Sequence, residues 1–218
     1  SEEDQARSFV EVSGRKGLGV KADDLIDQLI ARARGEVDAR HADKPAAERQ
    51  QVAEMIAVCA LRYFMLKFTR GTVIAFDLQE AVSFEGETGP YVQYAAVRAR
   101  NILRKIVERG GEVPDFAVAL EERSLAAVLA EEELWQLLLD ISRLGSVLAK
   151  ATEAGEPAQL AKYAFQLAQA FSRFYHDYRV IDEPDATRRL VLTWMTQYFA
   201  EQLERTLGVL GVRVPQYM

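Results

Sequence analysis

The sequence predicts an all-α protein: an antiparallel helical bundle preceded by a short loop and helix. Three observations predict it. Apolar residues recur at helical spacing along most of the chain. Gly- and Pro-containing breaks of a few residues separate the periodic stretches, which sets neighbouring helices antiparallel. Finally, 49% of the 218 residues are hydrophobic, enough for a real core.

Each element has its own signal. Residues 8–21 alternate and carry three glycines, so they read as a loop or hairpin. From Asp23 the period becomes helical, with Leu25, Ile26, Leu29 and Ile30 on one face. Residues 35–44, with Gly35, Asp38, His41 and Asp43, read as a polar break. Pro45 opens the next helix, where its missing N–H costs nothing. That helix carries Val52, Met55, Ile56, Cys59, Ala60, Tyr63 and Phe64 to about Lys67. Thr69–Phe76 is short and β-rich around Gly71, and Asp77 caps a brief helix through Val82. A turn containing Gly86 and Gly89-Pro90 leads into a helix that stops at Gly110-Gly111. Residues 112–130, containing Pro114, read as a loop and then a short helix. Three long amphipathic helices complete the chain, over roughly 131–153, 158–178 and 185–210. Their predicted core includes Leu138, Ile141, Leu167, Phe171, Trp194 and Leu203. Past Pro215 the helix cannot continue.

Composition narrows the function. A single cysteine, Cys59, forms no internal disulfide, which fits a reducing cytosol and predicts a cytoplasmic protein. The acidic start, Ser1-Glu2-Glu3-Asp4, is no secretory signal. No apolar run is long enough for a membrane span. Two histidines and one cysteine give no zinc spacing, and no metal site is predicted. The net charge of −6 argues against a sequence-blind polyanion binder. The charge is uneven, however. Residues 91–111 hold Arg98, Arg100, Arg104, Lys105 and Arg109 against Glu108 alone.

Residues 82–105 are the most informative stretch. A glycine-punctuated turn runs into a helix bearing Tyr91, Gln93, Tyr94, Arg98, Arg100 and Arg104. Guanidinium groups pair with phosphate oxygens, and flat rings stack on unpaired bases. Such a face suits RNA; the plainer alternative is a solvated helix surface. No enzyme constellation is present: there is no Walker or dinucleotide loop, and the carboxylates are scattered. Gly14-Arg15-Lys16-Gly17 reads as a phosphate cradle or simply as a loop. His176 reads as a half-exposed histidine at a helix C-terminus.

Four segments, in order, resemble arginyl-tRNA synthetases. Val12-Ser13-Gly14-Arg15-Lys16-Gly17, then Val20 to Asp27, is similar to the family's degenerate form of the class I K-M-S-K-S loop and the helix after it. Cys59-Ala60-Leu61-Arg62-Tyr63-Phe64 resembles D-A-L-R-Y-F, the string that names the family's anticodon-binding domain. Gly89-Pro90-Tyr91-Val92-Gln93-Tyr94, preceded by Phe84-Glu85-Gly86, resembles the segment G-P-Y-x-Q-Y. Phe171 to His176, Arg189-Leu190, Leu207 to Val212 and the terminal methionine resemble the family's C-terminal bundle. Two departures stand out: Glu11-Val12 replaces the usual Lys-Met, and Cys59 replaces Asp. The nucleotide-binding fold and its H-I-G-H motif are absent from this sequence.

The resemblance implies two regions. Residues 1–44 would be the remnant of the signature-loop region with its helix, and residues 45–218 the anticodon-binding domain. It implies the tRNA-binding part of an arginine–tRNA ligase whose full-length parent charges tRNA with arginine using ATP. Lys16 is the signature-loop candidate, stabilising charge on the ATP phosphates. This chain alone is expected to hold no cofactor and to have no ligase activity. By resemblance, Tyr94, Arg98, Arg104, Tyr175 and Met218 would meet the anticodon loop of arginine isoacceptors. Tyr94 and Tyr175 would stack on bases, or else be core residues exposing only their hydroxyls. A monomer is expected, with neither DNA nor a membrane as partner. The alternative from another class is a free-standing, non-catalytic helical paralogue that binds proteins.

Overall fold

The computed structural model describes residues 19, 21–113, 115 and 125–218. Lys16 and the glycine loop lie outside the described residues, as does most of the stretch from Pro114 to Ser124. The described elements are all helices: α1 (Ala22–Arg40), α2 (Ala46–Leu66), α3 (Leu78–Ala81), α4 (Gly89–Glu108), α5 (Ala126–Leu129), α6 (Glu132–Ser142), α7 (Leu144–Ala154), α8 (Ala158–Asp177) and α9 (Ala186–Val209).

Most predicted boundaries hold. Asp77 caps α3 by accepting from the N–H groups of Gln79 and Glu80 at 2.7 and 3.0 Å. These bonds favour the ionised form and hold its carboxyl below the usual range. Gly110, at φ +79°, ends α4 in a backbone region that a side chain would strain. Thr69–Phe76 runs without forming a strand.

Two predictions need correction. The polar break at 35–44 shrinks to residues 41–45, because α1 continues to Arg40. Val37 and Ala33 are buried in a cluster with Val52, Ala53 and Ile56 of α2. Ion pairs Arg34–Asp38 and Arg40–Glu36 support the outer face at i,i+4 spacing. A continuous helix over 131–153 is also incorrect, since the stretch divides at Arg143 into α6 and α7. The Tyr163 hydroxyl sits 3.0 Å from the carbonyls of both Asp140 and Ile141. In an unbroken helix those carbonyls would accept from Leu144 and Gly145. Burial pushes the Tyr163 hydroxyl pKa up, so it remains a donor.

α9 lies at the centre, packing against α4, α5, α6 and α8. Two of its buried threonines satisfy themselves locally, Thr196 donating to Leu192 O and Thr206 to Gln202 O. Phe199 of α9 stacks on Phe171 of α8 with centroids 3.9 Å apart. Ile141, Leu167, Phe171 and Leu203 are buried as predicted. Leu138 and Trp194 are only partly buried at the edge of the cluster, where Trp194 stacks on Tyr198. Beside them, Arg188 pairs with both carboxylate oxygens of Glu131 and with Glu183, tying α6, α9 and the loop between α8 and α9.

The first half joins this bundle through α2 and α4. At Gly89 the two backbones nearly touch: a Cβ there would stand 2.5 Å from Cys59 O and 2.9 Å from Cys59 Sγ. Burial keeps the Cys59 thiol neutral by pushing its pKa up. Tyr63, fully buried, donates across to Ala161 O of α8 at 3.0 Å.

This packing sets the cost of two substitutions. Leu167→Ala should lower the unfolding free energy by about 2–5 kcal/mol in denaturant titration, because Leu167 is 2% exposed. Gly89→Ala should cost roughly 1–3 kcal/mol through overpacking. Adding Cys59→Ala should restore only part of that loss, because the nearest obstacle is the Cys59 carbonyl rather than its sulfur.

Candidate nucleic-acid interface

α4 sorts its residues by face. Val92, Ala96 and Ala99 enter the main core. Gln93, fully buried, donates through Nε2 to Arg213 O at 2.6 Å and to Met55 O at 3.4 Å. Arg100 donates to Val214 O and pairs with Glu204. Together they hold the segment after α9 against α4 and α2. Tyr94 and Arg98, one turn apart, occupy a remaining, partly exposed face.

Here the structure joins residues distant in sequence. The Arg98 guanidinium carbon lies 4.7 Å from the Tyr94 ring centre and 5.0 Å from that of Tyr175 on α8. No carboxylate of the described residues pairs with Arg98. Tyr175 is 46% exposed, and an open groove beside it is bordered by Tyr91, Gln169, Ser172 and His176. Tyr94 meets Phe84 edge-on, with centroids 6.5 Å apart and an interplanar angle of 83°. Over Phe84 lies Arg40, the last residue of α1, with its guanidinium carbon 4.8 Å from the ring centre. The result is one surface tract: Arg40, Phe84, Tyr94, Arg98, Tyr175.

Neither Tyr94 nor Tyr175 belongs to any of the three apolar clusters among the described residues. At 46% exposure Tyr175 is not a core tyrosine showing only its hydroxyl, while Tyr94 is half-buried at the edge of the bundle. The other two candidates are placed differently. Arg104 is six residues beyond Arg98, a third of a turn away around α4. Its guanidinium pairs with Glu108 at 2.8 Å and donates to Asn101. Met218 packs with Tyr217 on the α1–α2 cluster of Ala33, Val37, Val52, Ala53 and Ile56. The Tyr217 ring lies 4.6 Å from that of His41, the residue after Arg40, so the chain end reaches the Arg40 end of the tract.

Sequence reasoning missed Arg40 and Phe84 as site residues. For Phe84 a signal existed, an aromatic residue inside the Phe-Glu-Gly string before the turn. For Arg40 there was none, because its stretch read as a polar break. A deeper cleft of about 600 Å3 opens between the end of α4 and the start of α9. Its arginines are occupied, Arg109 with Asp182 and Arg189 with Glu183 O, so it offers a ligand less free charge.

A family model described as the DALR anticodon binding domain matches residues 92–218. The chain belongs to the DALR anticodon binding domain family. It is 35% identical to the arginine–tRNA ligase of Streptococcus suis over 208 residues, which is 95% of this chain and 34% of that protein. It is 33% identical to that of Lactococcus lactis over 94% of this chain and 34% of the relative. The chain thus spans about a third of the length of the curated relatives it matches. Among solved structures, the arginyl-tRNA synthetase of Thermus thermophilus superposes with a TM-score of 0.76 at 32% identity, covering 92% of this chain and 32% of that one. The Plasmodium falciparum enzyme, at 23% identity, shares the fold with a TM-score of 0.73, over 91% of this chain and 34% of that one. No described helix of this DALR-family chain is long and apolar enough to cross a membrane.

The tie between α4 and the tail of this domain is testable. Gln93→Ala would leave the Arg213 carbonyl without its donor and should cost about 1–3 kcal/mol. Hydrogen exchange should show lost protection at residues 212–218, while the α8 and α9 amides keep theirs.

Proposed function

We propose that this chain is the anticodon-binding part of an arginine–tRNA ligase, and that the tract around Arg98 receives unpaired bases of the anticodon loop of arginine tRNAs. The observation that carries the reading is Arg98 held between Tyr94 and Tyr175, two rings that the core does not use. Base–aromatic stacking is worth about 1–3 kcal/mol per base. An exposed cation–π contact is worth about 0.5–1 kcal/mol. A base can therefore take a ring face from the guanidinium at a net gain. The displaced guanidinium then pairs with a phosphate or a base edge, where its charge does more. Arg173 and Arg179, exposed on and just after α8, add positive charge beside the tract.

In the parent enzyme, ATP and arginine would be handled by the nucleotide-binding part, with Lys16 close to the phosphates. This chain then contributes tRNA recognition, acts as a monomer, and needs no cofactor, DNA or membrane.

Titration of the purified chain with arginine tRNA at two salt concentrations tests the reading. Tyr94→Ala and Tyr175→Ala should each weaken binding by about 1–3 kcal/mol. Both should cost more with the cognate anticodon loop than with a scrambled one. Arg98→Ala should flatten the dependence of log affinity on log salt by roughly 0.7 if it holds one phosphate. Unchanged affinity and slope in all three variants would refute RNA binding at this tract.

A further inference from the structure

Resting on the tRNA reading above, we propose that Phe84 is a second stacking platform, which takes the nucleotide next to the one held at Tyr94 and Tyr175, with Arg40 as its phosphate contact. Phe84 belongs to none of the three apolar clusters among the described residues. Its described ring contacts are Tyr94, edge-on, and the Arg40 guanidinium. Packing into the apolar core therefore does not explain this half-buried phenylalanine.

The ring is also held ready. Thr88 Oγ1 donates to Ser83 O at 2.6 Å, and the Ser83 hydroxyl accepts from Glu85 N at 3.0 Å. Thr88 also caps α4 by accepting from Tyr91 N. The loop is thus tied on both sides of Phe84 and anchored to the helix that bears Tyr94 and Arg98. A fixed ring loses little freedom when a base lands on it.

Arg40 is a displaceable cover. Its side chain is 47% exposed, and its ion pair is the exposed i,i+4 contact with Glu36. Such a pair is weak, and stacking of a base outweighs an exposed cation–π contact. Arg40 can therefore leave the ring for a phosphate, as Arg98 does at its own rings. Glu85 and Glu87 follow Phe84 in the same loop and disfavour phosphate directly over it. This leaves the base for the ring and the backbone for the Arg40 side. Trp135, an exposed indole outside the clusters, is a poorer candidate, because Glu131, Glu132 and Glu133 precede it closely in sequence and add negative charge.

The test uses this chain and a hairpin RNA carrying the arginine anticodon loop, intact or with one abasic nucleotide at each loop position in turn. Phe84→Ala should weaken binding to the intact hairpin about 5- to 150-fold. Its melting temperature should stay that of the parent, and Phe84→Tyr should bind like the parent. Arg40→Ala should flatten the salt slope by roughly 0.7. In double-mutant cycles, Phe84→Ala should couple to an abasic position adjacent to the one that couples to Tyr94→Ala. Coupling of both rings to the same position would make Phe84 a mere buttress of Tyr94 and overturn the proposal. Undiminished binding by Phe84→Ala, while Tyr94→Ala binds weakly, would overturn it and leave the tract's main reading standing. If Tyr94→Ala, Tyr175→Ala and Arg98→Ala also bind like the parent, both readings fall.

Discussion

The approach of Gly89 to Cys59 is the constraint on which the rest of this structure depends. Here α4 begins in backbone contact with α2, and nothing larger than hydrogen fits between them. Once that point is fixed, helix geometry orients the next turns of α4. Gln93, one turn on, faces Met55 and the tail. Tyr94 and Arg98 are then turned toward α8 and the Phe84 loop. The first helices, the C-terminal bundle and the chain end are all registered against this one element.

The string Cys59 to Phe64 serves the same junction. Cys59 supplies the surface against Gly89, and Tyr63 bonds α8. Ala60 and Phe64 fill the cluster that holds α1, and the Arg62 guanidinium lies on the backbone at Gly211, just past α9. The segment that resembles the family's naming string therefore acts through packing. Its Cys in place of Asp is fully buried within the main apolar cluster. The chemistry is displaced outward, to rings that the core leaves free.

Free rings on a surface normally favour aggregation or collapse onto the core. In this chain guanidinium groups cover them, Arg40 over Phe84 and Arg98 over Tyr94 and Tyr175. Each contact shields a ring face from water.

The sequence alone determined the helical class, most element boundaries and most of the core. Those properties rest on local periodicity, on Asp77 as a cap, on the turn at Gly89-Pro90 and on Gly110 as a stop, and all act within a turn or two. Tyr94 and Arg98 were legible as a pair because one helix places them four residues apart. Tertiary structure alone decided the rest. The break at Arg143 depends on Tyr163, twenty residues away in another helix. The extension of α1 through Gly35 depends on Val37 finding a place on α2. The placement of Tyr175 beside Arg98, the separation of Arg104 from both, and the recruitment of Arg40 and Phe84 all depend on which helices meet. Such contacts join residues that no local period connects, and only the packed fold brings them within reach.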